Sequence, residues 1–418
     1  MQLSEINRLV KEATALLSSL QPNHLGLAVS GGGDSLAMLH LLAPWAKDRN
    51  IRLSVATVDH GLRPESAEEA VTVGQICKGL GIPHKTLKWM NWDGKGNLQD
   101  RARRARQQLL LAWAETEGID CIALGHTSDD QAENFLLRLT RGSGVDGLSG
   151  MDPVRQINNL HWVRPMLGVR REELRRYLKA RQIGWMDDPS NDDLRFDRVR
   201  ARKLLKELNV MGLTSAKLVE TSGRMQMARD ALEHFAKMSA KACTRIEAGD
   251  VVMDSPALLR LPKETILRLL AHGISWVASA EYRPRMKALE AALGDMTQNR
   301  KRSLHGTFLI PGRNQIRIVR EYKAVAEKQC GIHEVWDRRW RLSGQETKGL
   351  QVRALGERGL RECPDWRETN LPRESLISSP SVWNDADLVA APLAGRPNGW
   401  QLQLLRSAEQ YHSSILSH

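Results

Sequence analysis

Residues 30–35, Ser30-Gly31-Gly32-Gly33-Asp34-Ser35, set three glycines, two hydroxyls and a carboxylate between two apolar runs, "LGLAV" (25–29) and "SLAMLHLLAPWA" (35–46). A flexible spacer is also glycine-rich, but spacers do not sit between two stretches that both want burial. Glycines let successive backbone N–H groups converge on an anion. A helix starting there adds its own unpaired amides and the positive end of its dipole. A hydrogen bond to a charged group contributes about 1.5–3 kcal/mol, so three or four hold a polyphosphate firmly. Two common phosphate loops are excluded. Asp34 stands where the lysine of a P-loop would be, and Leu36 stands where a dinucleotide fingerprint needs its third glycine.

Asp34 is the unexpected member. A carboxylate about 4 Å from a phosphate charge costs on the order of 4 kcal/mol at an effective dielectric near 20. A divalent cation such as Mg2+ between the two removes that cost, which makes Asp34 a metal-binding candidate; the plainer alternative is a helix cap. Asp59 and His60 follow a second strand-like run, where they would meet nucleotide or acceptor, or merely cap a turn. Gly125 and His126 end a third run. Asp129, Asp130 and Glu133 open the helix after it, where the dipole favours acids in any case. Asp130 and Glu133 are three apart and share a face, suited to a metal ion or an ammonium. Arg141 leads a glycine-rich stretch, "RGSGVDGLSGM", read as a loop that closes over a substrate.

These groups need elements to position them. Short apolar strands at 25–29, 53–58 and 121–125 alternate with helical stretches at 35–46, 67–81 and 129–140. That alternation predicts an α/β fold with a parallel sheet covered by helices on both faces. Ligands collect at the carboxyl ends of such strands, where all three chemical stretches fall. After about residue 210 the pattern becomes helical, with Leu218, Met225, Ala228, Leu232, Phe235 and Ala242 on one stripe. A helical middle domain is expected over 211–300, and a small β-rich or α+β domain over 301–418, the latter containing two strands around Pro311-Gly312-Arg313-Asn314. The catalytic domain is then 1–210.

The formal net charge is +12, which favours a polyanionic partner. From Arg164 to Glu207 there are thirteen Lys/Arg against eight Asp/Glu, and "DRARRAR" (100–106) carries four arginines. Such residues hold RNA phosphates without reading sequence, or simply solvate a helix face. The five cysteines are scattered with no CxxC pair, against a zinc ribbon or a redox dithiol. The N-terminus lacks an apolar signal core, and no apolar run approaches membrane-spanning length, so a cytoplasmic location and no membrane partner are expected. Oligomeric state leaves no mark in the sequence.

The SGGxDS pattern at a strand-to-helix turn resembles the PP-loop of the N-type ATP pyrophosphatases, which cleave ATP between its α and β phosphates. Four more stretches follow in order: "VDHGLRPES", "LGHTSDDQAEN", "RGSGVDGLSGM" and "DDPSNDDLRFDRVRARKLL". Together they resemble the tRNA(Ile)-lysidine synthase family over residues 25 to 205, and more weakly beyond. The resemblance implies an ATP-dependent ligase whose substrates are ATP, L-lysine and the isoleucine tRNA with a CAU anticodon. The wobble cytidine would be adenylated, and lysine would then displace AMP. It also implies ATP binding by residues 30–35, a substrate role for Arg103 in "ARRARQ", and tRNA contact by Arg141, Arg198, Arg200 and Arg202. Gln107 and Phe196 stand where the family has tyrosines, and Val199 where it has an asparagine, so only the arginines carry over. A PP-loop tRNA thiolase would share the loop but needs cysteines for sulfur, and a small-molecule amide-forming synthetase has no use for the basic extension.

Overall fold

The computed structural model describes the whole chain except residues 62–64, 91–97, 158, 188–194, 281, 346–348 and 417–418. Parts of the "VDHGLRPES" and "DDPSNDDLRFDRVRARKLL" stretches therefore lie outside the described residues. The chain divides into two compact units, Met1–Arg229 and Asp230–His418.

The first unit holds a six-stranded sheet. Its strands are β1 (His24–Ala28), β2 (Arg52–Asp59), β3 (His84–Lys88), β4 (Cys121–Leu124), β5 (Val154–Ile157) and β6 (Leu160–Val163), in the order β3-β2-β1-β4-β6-β5. All neighbours are parallel except the edge hairpin β5–β6. Alternate residues of the central strands enter two different cores. Leu25, Leu27, Val55, Cys121 and Ala123 pack with α1 (Leu3–Leu20), α2 (Gly33–Asp48), α3 (Glu65–Gly79) and α7 (Arg171–Ala180). Ala28, Ala56, Ile122 and Leu124 pack on the other face with Leu110, Trp113 and Ala114 of α4 (Leu98–Glu117). Burial on both faces explains why these strands read as unbroken apolar runs. A satellite core joins Phe135 and Leu136 of α5 (Ser128–Leu139) to Leu205 of α8 (Asp197–Asn209), with Leu218 at the start of α9 (Ser215–Cys243). A single helical turn, α6 (Val145–Leu148), interrupts the glycine-rich stretch.

The stripe expected on α9 is only in part the buried one. Leu218 is buried and Met225 and Leu232 are half-buried, but Ala228, Phe235 and Ala242 are exposed, while Ser222, Arg229, Glu233, Ala236, Ser239, Ala240 and Cys243 are buried. The buried side of α9 is partly polar because its charges are paired: Arg229 reaches Asp152 at 2.8 Å.

In the second unit α11 (Lys263–Ala278) and α12 (Met286–Thr297), after the short α10 (Ser255–Leu259), cover an antiparallel sheet. Its strands are β7 (Thr244–Glu247), β8 (Asp250–Asp254), β9 (Arg302–Leu304), β10 (Thr307–Pro311) and β11 (Gln315–Arg320), ordered β7-β8-β11-β10-β9. The helical middle region thus contains two strands, and β8 pairs with β11 across the edge expected near residue 300. The hairpin β10–β11 turns at residues 312–314, where the sequence placed it. A four-stranded and a two-stranded sheet complete the unit: β12 (Gln329–Gly331) with β14 (Leu350–Ala354), β15 (Pro380–Asn384) and β16 (Asp387–Ala390), and β13 (Trp340–Ser343) with β17 (Gln401–Leu404).

Candidate active site

The glycine turn forms as a closed loop at the carboxyl end of β1. Gly31 has φ +86°, a conformation open to glycine and strained for other residues. Gly32 is extended (φ −70°) and caps α2, which begins at Gly33. The Ser30 amide donates to Ser35 Oγ at 3.1 Å, and that hydroxyl donates to the Gly32 carbonyl at 2.9 Å. Trp185 and Met186 back the loop. The Met186 amide donates to the Gly31 carbonyl at 3.1 Å, and a Cβ added at Gly31 would lie 1.9 Å from the Met186 methyl. At the end of β4 a Cβ on Gly125 would come within 3.1 Å of Ser35 Cα and 3.2 Å of its nitrogen. Glycine there lets β4 end against the first turn of α2.

Asp34 does not cap α2; its carboxylate receives Nε of Arg171 at 2.8 Å. The same guanidinium reaches Asp130 Oδ1 and Glu133 Oε1, both at 3.2 Å, and the Arg171 amide donates to Asp129 Oδ2 at 2.7 Å. Arg202 adds a 2.9 Å bond to Glu133, and Arg198 lies 4.0 Å from Asp130. Thr127 pins the other oxygen of Asp130 with its amide and hydroxyl, each at 2.8 Å. Burial raises Asp34 above the usual carboxylate range, with Arg171 opposing. Burial pushes Asp130 the same way, but Arg171 and the Thr127 amide outweigh it and hold this acid low. Arg171 itself loses solvation and gains more from Asp34 and Asp130, so its charge is fixed.

Beside this acidic group stands a basic one. Burial lowers His126 strongly, Asp130 opposes, and Arg164, Arg106 and Arg198 add to the fall, so the ring is neutral at pH 7. Burial and then Arg106 likewise lower His60, which packs edge-on against Trp89. Arg106 is itself lowered by burial and by its neighbours Arg103 and Arg198. Cations around Arg106 that oppose its charge in this way favour an anion beside it.

The sequence-predicted residues divide accordingly. Ser30 to Ser35, Gly125, His126, Asp130 and Glu133 lie around one loop, with Arg103 and His60 on the basic side. Asp59 holds its own turn: it accepts the Gly61 amide at 2.9 Å and the Ser66 hydroxyl at 2.6 Å, and Ser66 keeps it low. Of the four proposed tRNA contacts, Arg198 and Arg202 turn toward the acids, whereas Arg141 and Arg200 are exposed and share Asp197. The glycine-rich stretch is tied at its far end, where Gln131 exchanges bonds of 2.7 and 3.0 Å with the Met151 backbone. Arg171, Trp185 and Met186 escaped sequence reasoning, and Arg106 and Arg164 were seen only as members of basic stretches. Arg170 and Arg171 did leave a trace, since two cations at a helix N-terminus oppose the dipole.

As a metal centre the site is incomplete by itself. Among the described residues no three His, Cys, Asp or Glu side chains are grouped to hold an ion. Mg2+ is commonly held by one or two carboxylates plus substrate phosphates, a role that Asp34 at the loop fits. All five cysteines are free thiols, four of them buried.

A parallel sheet ending in this loop defines a PP-loop nucleotide-using enzyme, and the family model described as the PP-loop domain matches residues 4–208. Over 98% of this chain and 98% of its own length, the tRNA(Ile)-lysidine synthase of Ruegeria pomeroyi is 47% identical. That of Wolbachia pipientis wMel is 34% identical over 90% of each. Among solved structures, the U34-tRNA thiolase NcsA from Methanococcus maripaludis has a TM-score of 0.47 at 18% identity, covering 54% of this chain and 80% of that one. The chain belongs to the tRNA(Ile)-lysidine synthase family. Among the described residues no helix is long and apolar enough to cross a membrane.

Proposed function

We propose that this chain is an ATP-dependent ligase that joins L-lysine to C2 of the wobble cytidine in the CAU-anticodon isoleucine tRNA. The observation that carries the site assignment is the meeting of an anion cradle and a cation cradle at Asp34: one guanidinium touches both the phosphate loop and the acid pair of α5. The amides of Gly31 to Gly33 and the hydroxyls of Ser30 and Ser35 bind the triphosphate. The cytidine O2 attacks the α-phosphorus, and pyrophosphate leaves. Activation is required because a carbonyl oxygen is a poor leaving group and AMP a good one. Lysine's amine then displaces AMP at C2, the acid pair having held the amine in place for attack. Asp34 would hold Mg2+, which supplies neutralising charge to the phosphates. Arg103 and Arg106 suit the tRNA backbone, and neutral His126 offers a hydrogen bond without charge. Arg141 and Arg200 extend the tRNA contact at the surface. The reading gives the chemistry to residues 1–210 and tRNA contact to 211–300 and 301–418, in a cytoplasmic enzyme.

The test is pyrophosphate release with a CAU-anticodon transcript, supplied in turn with lysine, sulfide or ammonia. Lysine alone is expected to complete turnover. Completion by sulfide or ammonia would replace this reading with a thiolase or an amide-forming synthetase; the buried, unpaired cysteines speak against the former.

A further inference from the structure

Arg171 is placed as no surface arginine is. Its side chain is 19% exposed, and three guanidinium nitrogens go to three carboxylates: Nε to Asp34, one Nη to Asp130, the other to Glu133. Two of those acids are on α5 and the third is on the phosphate loop, so one side chain ties the two halves of the site together. The pairing is uneven. One guanidinium is shared among three carboxylates, while Arg202 adds a 2.9 Å contact to Glu133 and Arg198 stands 4.0 Å from Asp130. Glu133 is 1% exposed, yet among the described residues its Oε2 has no hydrogen-bond partner. A buried carboxylate oxygen with no hydrogen-bond partner among the described residues points to a further cation that binds there.

The space a cation needs is where the guanidinium now sits. A divalent metal brings two charges and prefers hard oxygen, and an arriving triphosphate offers the guanidinium a new anionic partner. Both changes weaken the Arg171–Asp34 bond. Before they occur, an ammonium would have to compete with a guanidinium already held in three directions.

We propose that Arg171 is a competing counter-ion that balances the acid pair in the nucleotide-free enzyme and, on leaving Asp34 when nucleotide binds, opens Asp130 and Glu133 to lysine. Arg171 is thus a positioning residue that orders the two substrates, nucleotide before lysine. This rests on the assignment of Asp130 and Glu133 to lysine's amine.

Titration calorimetry on the full chain tests it. In wild type, lysine binding is expected only in the presence of a non-hydrolysable ATP analogue with Mg2+. In Arg171→Gln, lysine is expected to bind without nucleotide, and Mn2+, followed by electron paramagnetic resonance, to bind roughly tenfold tighter than in wild type. Arg171→Lys keeps the charge and loses the fork, so it should fall between them. Lysine binding to wild type equally well with and without nucleotide overturns the proposal, and that arm needs no variant to fold. Asp130→Asn separates the two ideas. If it leaves lysine binding unchanged, the assignment of the acid pair fails. If it abolishes binding while Arg171→Gln still requires nucleotide, only the counter-ion role fails.

Discussion

The proposed function gives the amine-binding half of the chemistry to Glu133 and Asp130, whose neighbours limit how they can be altered. Removing the Glu133 side chain altogether leaves Arg171 and Arg202 without a shared acceptor, and breaking a buried pair from one side costs roughly 3–5 kcal/mol. Glu133→Gln and Asp130→Asn keep the shape and remove the charge. A charged hydrogen bond contributes about 1.5–3 kcal/mol, so each variant should raise the KM for lysine by roughly 10- to 150-fold and the KM for ATP much less. Steady-state kinetics with each substrate varied would check this, and an unchanged lysine KM would remove both acids from the role. At this scale the sequence was informative where a residue type broke a local expectation. Asp34 in a phosphate loop demanded a cation beside it, and the Arg171 guanidinium is one. Arg171 stayed hidden because its partners lie 137, 41 and 38 residues away, and its place at a helix N-terminus is the one local trace it leaves.

Among elements, the decisive contact is between the end of β4 and the start of α2. Because a Cβ at Gly125 would press on the Ser35 backbone, Gly125→Ala should push the first turn of α2 outward. Overpacking of this kind costs about 1–3 kcal/mol, which a thermal melt would report as a lower Tm, together with a raised KM for ATP. Unchanged values for both would mean that the two elements do not need their close approach. Strands β1, β2 and β4 were legible because both of their faces are buried in apolar cores. β3 was not: only Leu87 of its five residues is buried, so "HKTLK" carries no apolar signal. The two-residue connection and half-exposed β5 hid the edge hairpin in the same way. For α9, apolar periodicity selected only part of the buried face because Arg229 and Glu233 are buried there, and side-chain pairing across the fold leaves no periodic mark.

At the scale of the whole molecule, a net charge of +12 suits a large polyanionic substrate, the part that the proposed function gives to a tRNA. The account then stands on one chemical step, transfer of AMP from ATP to an RNA oxygen before lysine takes part. The direct measurement uses ATP labelled at the α-phosphate, incubated with enzyme and CAU-anticodon transcript in the absence of lysine. The account predicts label that migrates with the tRNA and is released as AMP when lysine is added. Label recovered only in ADP, with the tRNA unlabelled and lysine without effect, would contradict it.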